Sequence, residues 1–297
     1  MIELTEDKLM VMQLSRRHTQ EKLLVERIMY TKRYSLILDK EKCVGCEICR
    51  IACPREAITV VKSVKNEGKN LSKSTVNLDE TKCSFCGICT AICPFGALAL
   101  TMNGNKWVPV LDKEAFPQVI HEVTVDESKC TVECTKCEEA CPFKLIKVKS
   151  DKASGRVHVQ VDKEHCPSCQ LCEVKCPNGA ITIRKIFSGL IAIDSMKCPE
   201  NCHDCVDVCP VPDVLSLSEN GKVEVNEKHC IYCGACKVVC PIKNALFLQM
   251  SSVYHTPIHS GAWNKALEKL ATVNGVTREL RSKSSMKVRE TVKKRFS

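Results

Sequence analysis

Aromatic side chains are scarce in these 297 residues: seven Phe, four Tyr and two Trp, 4% of the chain. So few large rings cannot furnish an ordinary aromatic-rich core along its whole length. Long apolar runs are missing too. None approaches the roughly 18 residues that a membrane span needs, so direct membrane insertion is not expected. The opening stretch MIELTEDKLMVMQLSRR is charged early and lacks both an uninterrupted apolar stretch and a small-residue cleavage site, so no secretory signal is expected. Glycine is confined to turn-like stretches. There is no G-x-G-x-x-G after a strand, no P-loop and no H-E-x-x-H. These absences argue against a self-contained enzyme and leave catalysis to a partner.

What is abundant is cysteine, 24 in all. The expected compartment is the cytoplasm, where thiols stay reduced and dense cysteine means metal rather than disulfide. All 24 fall into six runs: Cys43, Cys46, Cys49 and Cys53; Cys83, Cys86, Cys89 and Cys93; Cys130, Cys134, Cys137 and Cys141; Cys166, Cys169, Cys172 and Cys176; Cys198, Cys202, Cys205 and Cys209; Cys230, Cys233, Cys236 and Cys240. Pro54, Pro94, Pro142, Pro177, Pro210 and Pro241 follow the fourth thiol each time. Four runs read C-x2-C-x2-C-x3-C-P; the third and fifth have one more residue between their first two cysteines.

That spacing is the ligand run of bacterial-type [4Fe–4S] ferredoxins. Three thiolates from one short loop wrap three irons of a cube, and the fourth cysteine of each run reaches the neighbouring cube. Structural zinc prefers two close pairs on separated segments, which three cysteines stepping by three do not supply. Six [4Fe–4S] clusters are therefore expected. His165, His203 and His229 sit beside ligand cysteines and are expected to be solvated neighbours, since each cube already has four thiols.

The runs alternate in kind. Three and five share the additional residue, and four and six share a histidine before the first cysteine. This order suggests a duplicated two-motif unit with pairs one–two, three–four and five–six, although nested pairing stays open because of the long spacer from Cys93 to Cys130. Sequential pairing gives the ligand sets Cys43, Cys46, Cys49 with Cys93; Cys83, Cys86, Cys89 with Cys53; Cys130, Cys134, Cys137 with Cys176; Cys166, Cys169, Cys172 with Cys141; Cys198, Cys202, Cys205 with Cys240; and Cys230, Cys233, Cys236 with Cys209. Short alternating runs flank the cysteines (SLILD, VTVD, LIAID before; AITVV, ALALT, AITIRKI, ALFLQM after) and read as strands, with NEGKN, KASGR and SENGK as turns. The segment from third to fourth cysteine should begin a short helix.

The net charge of +9 is unevenly placed. Ten Lys/Arg against three Glu put +7 on residues 251–297, and residues 1–34 carry +2, so the middle is neutral before any anionic cube is loaded. The expected division is a helical N-terminal extension over 1–34, a first module with spacer over 35–119, a second over 120–189, a third over 190–250, and a basic helical tail over 251–297. In the extension, Leu24, Val25, Ile28 and Met29 fall on one helical face, expected to pack on the first module rather than on a partner. In the tail, Trp263, Ala266, Leu267, Leu270 and Ala271 form a helical stripe, Gly275 is the expected stop, and Leu280, Val288, Val292 and Phe296 continue a thinner one. One basic segment without a recognisable nucleic-acid fold does not make a nucleic-acid binder. The fold class is thus α+β: tandem bacterial-type 2[4Fe–4S] ferredoxin-like modules between helical extensions.

The six runs resemble those of archaeal polyferredoxins over residues 35–250. CSFCGICTAICPFGALALTMNG with its Pro-containing spacer, and the tail TPIHSGAWNKALEKLATVNGVTRELRSKSSMKVRETVKKRF, are similar to the polyferredoxin subunit of formylmethanofuran dehydrogenase. The resemblance implies a non-catalytic subunit that relays low-potential electrons to or from a molybdenum or tungsten pterin site in catalytic subunits, alongside small ferredoxin subunits, with the 24 cysteines as ligands. Members of that family can carry more runs than the six here. The alternatives are a hydrogenase polyferredoxin, in the same class, and a free-standing iron–sulfur reductase, in a different one.

Overall fold

The first and last strands of each cysteine pair lie side by side, and this rule organises the whole chain. The computed structural model describes residues 12–63, 71–151, 155–258 and 260–282. Its first module contains β1 (Met12–His18), β2 (Lys22–Met29), β3 (Arg33–Asp39), α1 (Ile48–Ala52), β4 (Ile58–Val61), β5 (Thr75–Leu78), α2 (Ile88–Ile92), β6 (Leu98–Met102), β7 (Asn105–Lys106) and α3 (Pro109–Asp112). The second contains β8 (Val123–Val125), α4 (Lys136–Glu139), β9 (Ile146–Asp151), β10 (Arg156–Val161), α5 (Leu171–Lys175) and β11 (Ile181–Ile183). The third has β12 (Phe187–Ile193), α6 (Asp204–Asp207), β13 (Leu215–Leu217), β14 (Val223–Val225), α7 (Ala235–Val239) and β15 (Leu246–Val253), and α8 (Gly261–Leu270) follows it.

Outer pairs β3–β6, β8–β11 and β12–β15 are antiparallel, as are the inner hairpins β4–β5, β9–β10 and β13–β14. Runs one and two, three and four, and five and six are therefore brought together in sequence order, and α1 packs on α2, α4 on α5 and α6 on α7. Strands appear where alternation predicts them, and β11 shows the pattern most simply, with Ile181 and Ile183 buried on either side of an exposed Thr182. The turn at SENGK forms with Gly221 in the left-handed region. NEGKN and most of KASGR lie outside the described residues.

The helix expected over residues 1–34 is not formed where the chain is described. β1 and β2 instead extend the first module's sheet to the order β1-β2-β3-β6-β7. The period of two prevails over the helical stripe: Leu23 and Val25 are 1% and 0% exposed, whereas Met29 is exposed. An open β3 would leave a row of unpaired backbone groups, and β2 covers it from Ile28↔Arg33 to Lys22↔Asp39. The buried Glu26 breaks the alternation and is held by Arg33, Ser35 and Ser15.

The tail stripe does form a helix. Ser260 caps α8, and Trp263, Ala266, Leu267 and Leu270 are buried on the chain's own core. The helix stops at Leu270 rather than Gly275, because Ala271 joins Met250 in a bridge and Thr272 donates to the Met250 carbonyl. Residues 273–282 then turn helical again, and Gly275 marks a close approach: a Cβ there would lie 2.1 Å from the Ser251 carbonyl oxygen. Val288, Val292 and Phe296 lie outside the described residues. Among the described residues no helix is long and apolar enough to cross a membrane.

Candidate metal centres

The four C-x2-C-x2-C runs share one backbone device. The residues either side of the second cysteine have positive φ: Gly45 and Glu47, Phe85 and Gly87, Ser168 and Gln170, Tyr232 and Gly234. Each first member donates its N–H to the first cysteine's sulfur, at 3.4 Å from Phe85 to Cys83 and from Tyr232 to Cys230. The Gly45 and Ser168 N–H groups do the same for Cys43 and Cys166. Such alternation lines a concavity with N–H groups and suits an anionic iron–sulfur group. In runs three and five the additional residue closes a turn instead, Cys134 donating to Thr131 and Cys202 to Pro199.

The fourth cysteine of each run lies beside one or more of the first three of its partner. Cys93 is a close neighbour of Cys43, Cys46 and Cys49, and Cys53 of Cys83 and Cys89. Cys176 neighbours Cys130, and Cys141 neighbours Cys166, Cys169 and Cys172. In the third module Cys240 neighbours Cys198 and Cys205, and Cys209 neighbours Cys233 and Cys236. Burial first, then these neighbouring thiols, push Cys46, Cys49, Cys89 and Cys233 well above the usual thiol range, and Cys172 and Cys205 to about 12. Cys176 goes the other way. Burial would raise it, but the N–H groups of Ala180, Asn178, Ile181 and Gly179 converge on its sulfur and lower it.

All 24 thiols are free. Buried thiols that oppose one another's ionisation become stable thiolates only with a cation among them. Among the described residues no three His, Cys, Asp or Glu side chains close round a single metal ion. Structural zinc would hold four thiolates at about 2.3 Å, whereas these runs supply the three-plus-one pattern of a four-iron cube. Among the described residues, three buried polar atoms without a partner complete the fit: Arg27 Nε, Ser74 Oγ and Ser168 Oγ. Each lies at a cysteine run, for Arg27 also donates to the Cys83 carbonyl, Ser74 packs on Gly45, and Ser168 lies between Cys166 and Cys169. The donor sets fit [4Fe–4S] groups.

The modules meet through these sites. Cys46, Cys169 and Cys233, the second thiols of runs one, four and six, line one hydrophobic core with Ile48, Leu171 and Ile231. Cys233 is a close neighbour of Cys46. His229 is buried, and its Nδ1 lies 3.2 Å from the Cys169 carbonyl, which corrects the expectation of a solvated side chain. His165 is bonded to Asp162 and its ring packs on Gly96, and His203 is bonded to Asp207. Lys185 Nζ crosses to the Cys230 carbonyl at 3.2 Å, and the Phe95 and Phe143 rings meet at 5.8 Å. Sequence reading missed Lys185, Ser74 and Ser168. Ser168 carries a signal, its place inside a ligand run; Ser74 and Lys185 carry none.

Two family profiles, each described as a 4Fe-4S dicluster domain, match this chain, one at residues 42–97 and 129–180 and the other at 190–241. A ferredoxin of Methanothermococcus thermolithotrophicus is 34% identical over 64 residues, 21% of this chain and 98% of that protein. The chain belongs to the 4Fe-4S dicluster ferredoxins. A polyferredoxin-like subunit of an aliphatic sulfonate oxidoreductase from Pyrococcus furiosus is 34% identical over 106 residues, 32% of this chain and 60% of that protein. The chain spans no more than 60% of the length of that subunit and of a methylamine utilization ferredoxin-type protein. In structure it resembles a chain of the formate dehydrogenase–heterodisulfide reductase–formylmethanofuran dehydrogenase complex from Methanospirillum hungatei, with a TM-score of 0.77 and 32% identity, covering 88% of this chain and 92% of that one. With its dicluster domains in tandem, the chain is a polyferredoxin similar to those of archaea.

Proposed function

We propose that this chain holds six [4Fe–4S] clusters on the 24 cysteines and relays low-potential electrons to or from the catalytic subunits of formylmethanofuran dehydrogenase. One observation supports the cluster assignment: in each module the fourth thiol of a run neighbours one or more of the other run's first three, which fits six four-thiol sets. Bound there, each cluster supplies reversible one-electron chemistry with a potential set by charge, hydrogen bonding and exposure. The protein contributes the N–H-lined concavities, a dry interior and the shared core where the modules meet. The sets on Cys46, Cys169 and Cys233 face that core, so the relay is a junction of three arms rather than a single file. The partner assignment is supported by the likeness, along nearly the whole chain, to a component of a complex that includes formylmethanofuran dehydrogenase.

A second reading, a polyferredoxin serving a hydrogenase, draws on the similarity to the polyferredoxin protein MvhB of Methanothermobacter marburgensis, 32% identical over 112 residues but covering only 24% of that protein. Anaerobic co-purification distinguishes them: pterin-enzyme subunits support the first, nickel–iron subunits the second. Purified protein should contain about 24 irons and as much acid-labile sulfide, four to each cube. Zinc without sulfide would end both readings.

A further inference from the structure

At the left-handed position before the second cysteine, the four regular runs differ in what they present. Runs two and six place rings there, Phe85 at 3% exposure and Tyr232 at 6%. Run four places Ser168, 1% exposed, with its hydroxyl unpartnered. Run one has Gly45, and Ser74 fills the space: a Cβ on Gly45 would lie 2.9 Å from the Ser74 Cβ and 2.5 Å from its carbonyl oxygen. Ser74 is 3% exposed, and its hydroxyl is unpartnered as well. Two unrelated segments therefore deliver a buried hydroxyl to equivalent places.

A buried hydroxyl without a partner loses its hydrogen bonds to water, which costs stability. Native interiors rarely leave that uncompensated. The Ser168 N–H already points to the Cys166 sulfur, which fixes the side chain beside that ligand set. The acceptors missing from both sites are those that iron–sulfur groups carry, namely sulfide and thiolate sulfur. We propose that Ser168 and Ser74 donate hydrogen bonds to the clusters held by runs four and one and raise their reduction potentials. Hydrogen bonds to the sulfurs stabilise the more negative, reduced state. Cys46 and Cys169 line the central core, so the two serines favour electron residence at the junction over the outer arms. Both are positioning residues, since they act through the clusters. The inference rests on the [4Fe–4S] reading above.

The test uses the full chain, anaerobically loaded, with midpoint potentials followed by electron paramagnetic resonance. Ser168→Gly is the variant to choose, because glycine accepts the φ of +62° and removes only the hydroxymethyl group. It should keep wild-type iron and sulfide and lower one midpoint, changing that centre's oxidised-to-reduced ratio at fixed ambient potential about tenfold, or about 59 mV for one electron. Ser74→Ala should lower a different midpoint, and the double variant both. Loss of iron in both single variants would make the serines packing residues and overturn the proposal. Unchanged midpoints at full iron content would overturn it equally. Wild-type protein without sulfide removes the clusters, and the proposal with them, before any variant is made.

Discussion

Cys53 shows what a single residue does in this fold. By sequence it belongs to Cys43, Cys46 and Cys49, yet it stands beside Cys83 and Cys89. Cys53→Ala should therefore damage the centre on Cys83, Cys86 and Cys89 and spare its sequence neighbour, as resolved by spectroscopy of the loaded chain. Loss at Cys43, Cys46 and Cys49 instead would reverse the crossed assignment. Glu26 gives a second residue-level prediction. It is 2% exposed, and the hydrogen bond from Arg33 above all holds its carboxyl down to about 2 against burial. A depressed folded value stabilises the protein fully above the ordinary value of 4.5, and the contribution fades as pH falls from there toward 2. Glu26→Gln should loosen β2 and β3 by on the order of 2–3 kcal/mol at pH 7. Amide exchange in those strands reads this out, and the gap between variant and wild type should narrow at pH 4.

At the scale of elements, legibility followed the period of the pattern. ALALT and AITIRKI alternate cleanly and became β6 and β11. EKLLVERIMY supports a helical stripe and a strand alternation equally well, and only the open edge of β3 decides between them. No local signal announces that edge, so the hairpin stayed hidden. The cysteine runs were fully readable because ligand spacing is a local property. Ser74 was not, because its role depends on a glycine 29 positions earlier. In the tail the stripe was legible but its destination was not: it covers this chain's own core. Trp263 is fully buried, edge-on to Phe116 at 5.2 Å and to His255 at 4.6 Å, and its indole N–H donates to Glu279. Trp263→Ala should cost about 3–5 kcal/mol. A lower thermal midpoint of the isolated chain is the expected result; an unchanged one would mean that the helix does not stabilise this core.

For the molecule as a whole, the uneven depth of the six thiol sets has a measurable consequence. Cys46, Cys49, Cys169, Cys172, Cys230, Cys233 and Cys236 are all buried, whereas Cys130, Cys134 and Cys176 are only partly so, as are Cys198, Cys202 and Cys240. Cys137 and Cys205 are buried as well, but Cys130, Cys176 and Cys198 are shallow thiols of their sets, whereas Cys46, Cys49, Cys89 and Cys233 lie deep. A chelator reaches metal either through solvent or through local opening, and opening costs most where packing is continuous. Iron release should therefore have two phases, with the sets that include Cys130 and Cys198 emptying first. Cys130→Ala supplies the check on identity: in the loaded chain it should diminish the fast phase and leave the slow one unchanged. A single phase, or a variant that diminishes the slow phase, would place the surface sites elsewhere. The order matters for function, because a relay that exchanges electrons with other subunits needs some centres near its surface, while the junction stays dry to keep its potentials under the control of the protein.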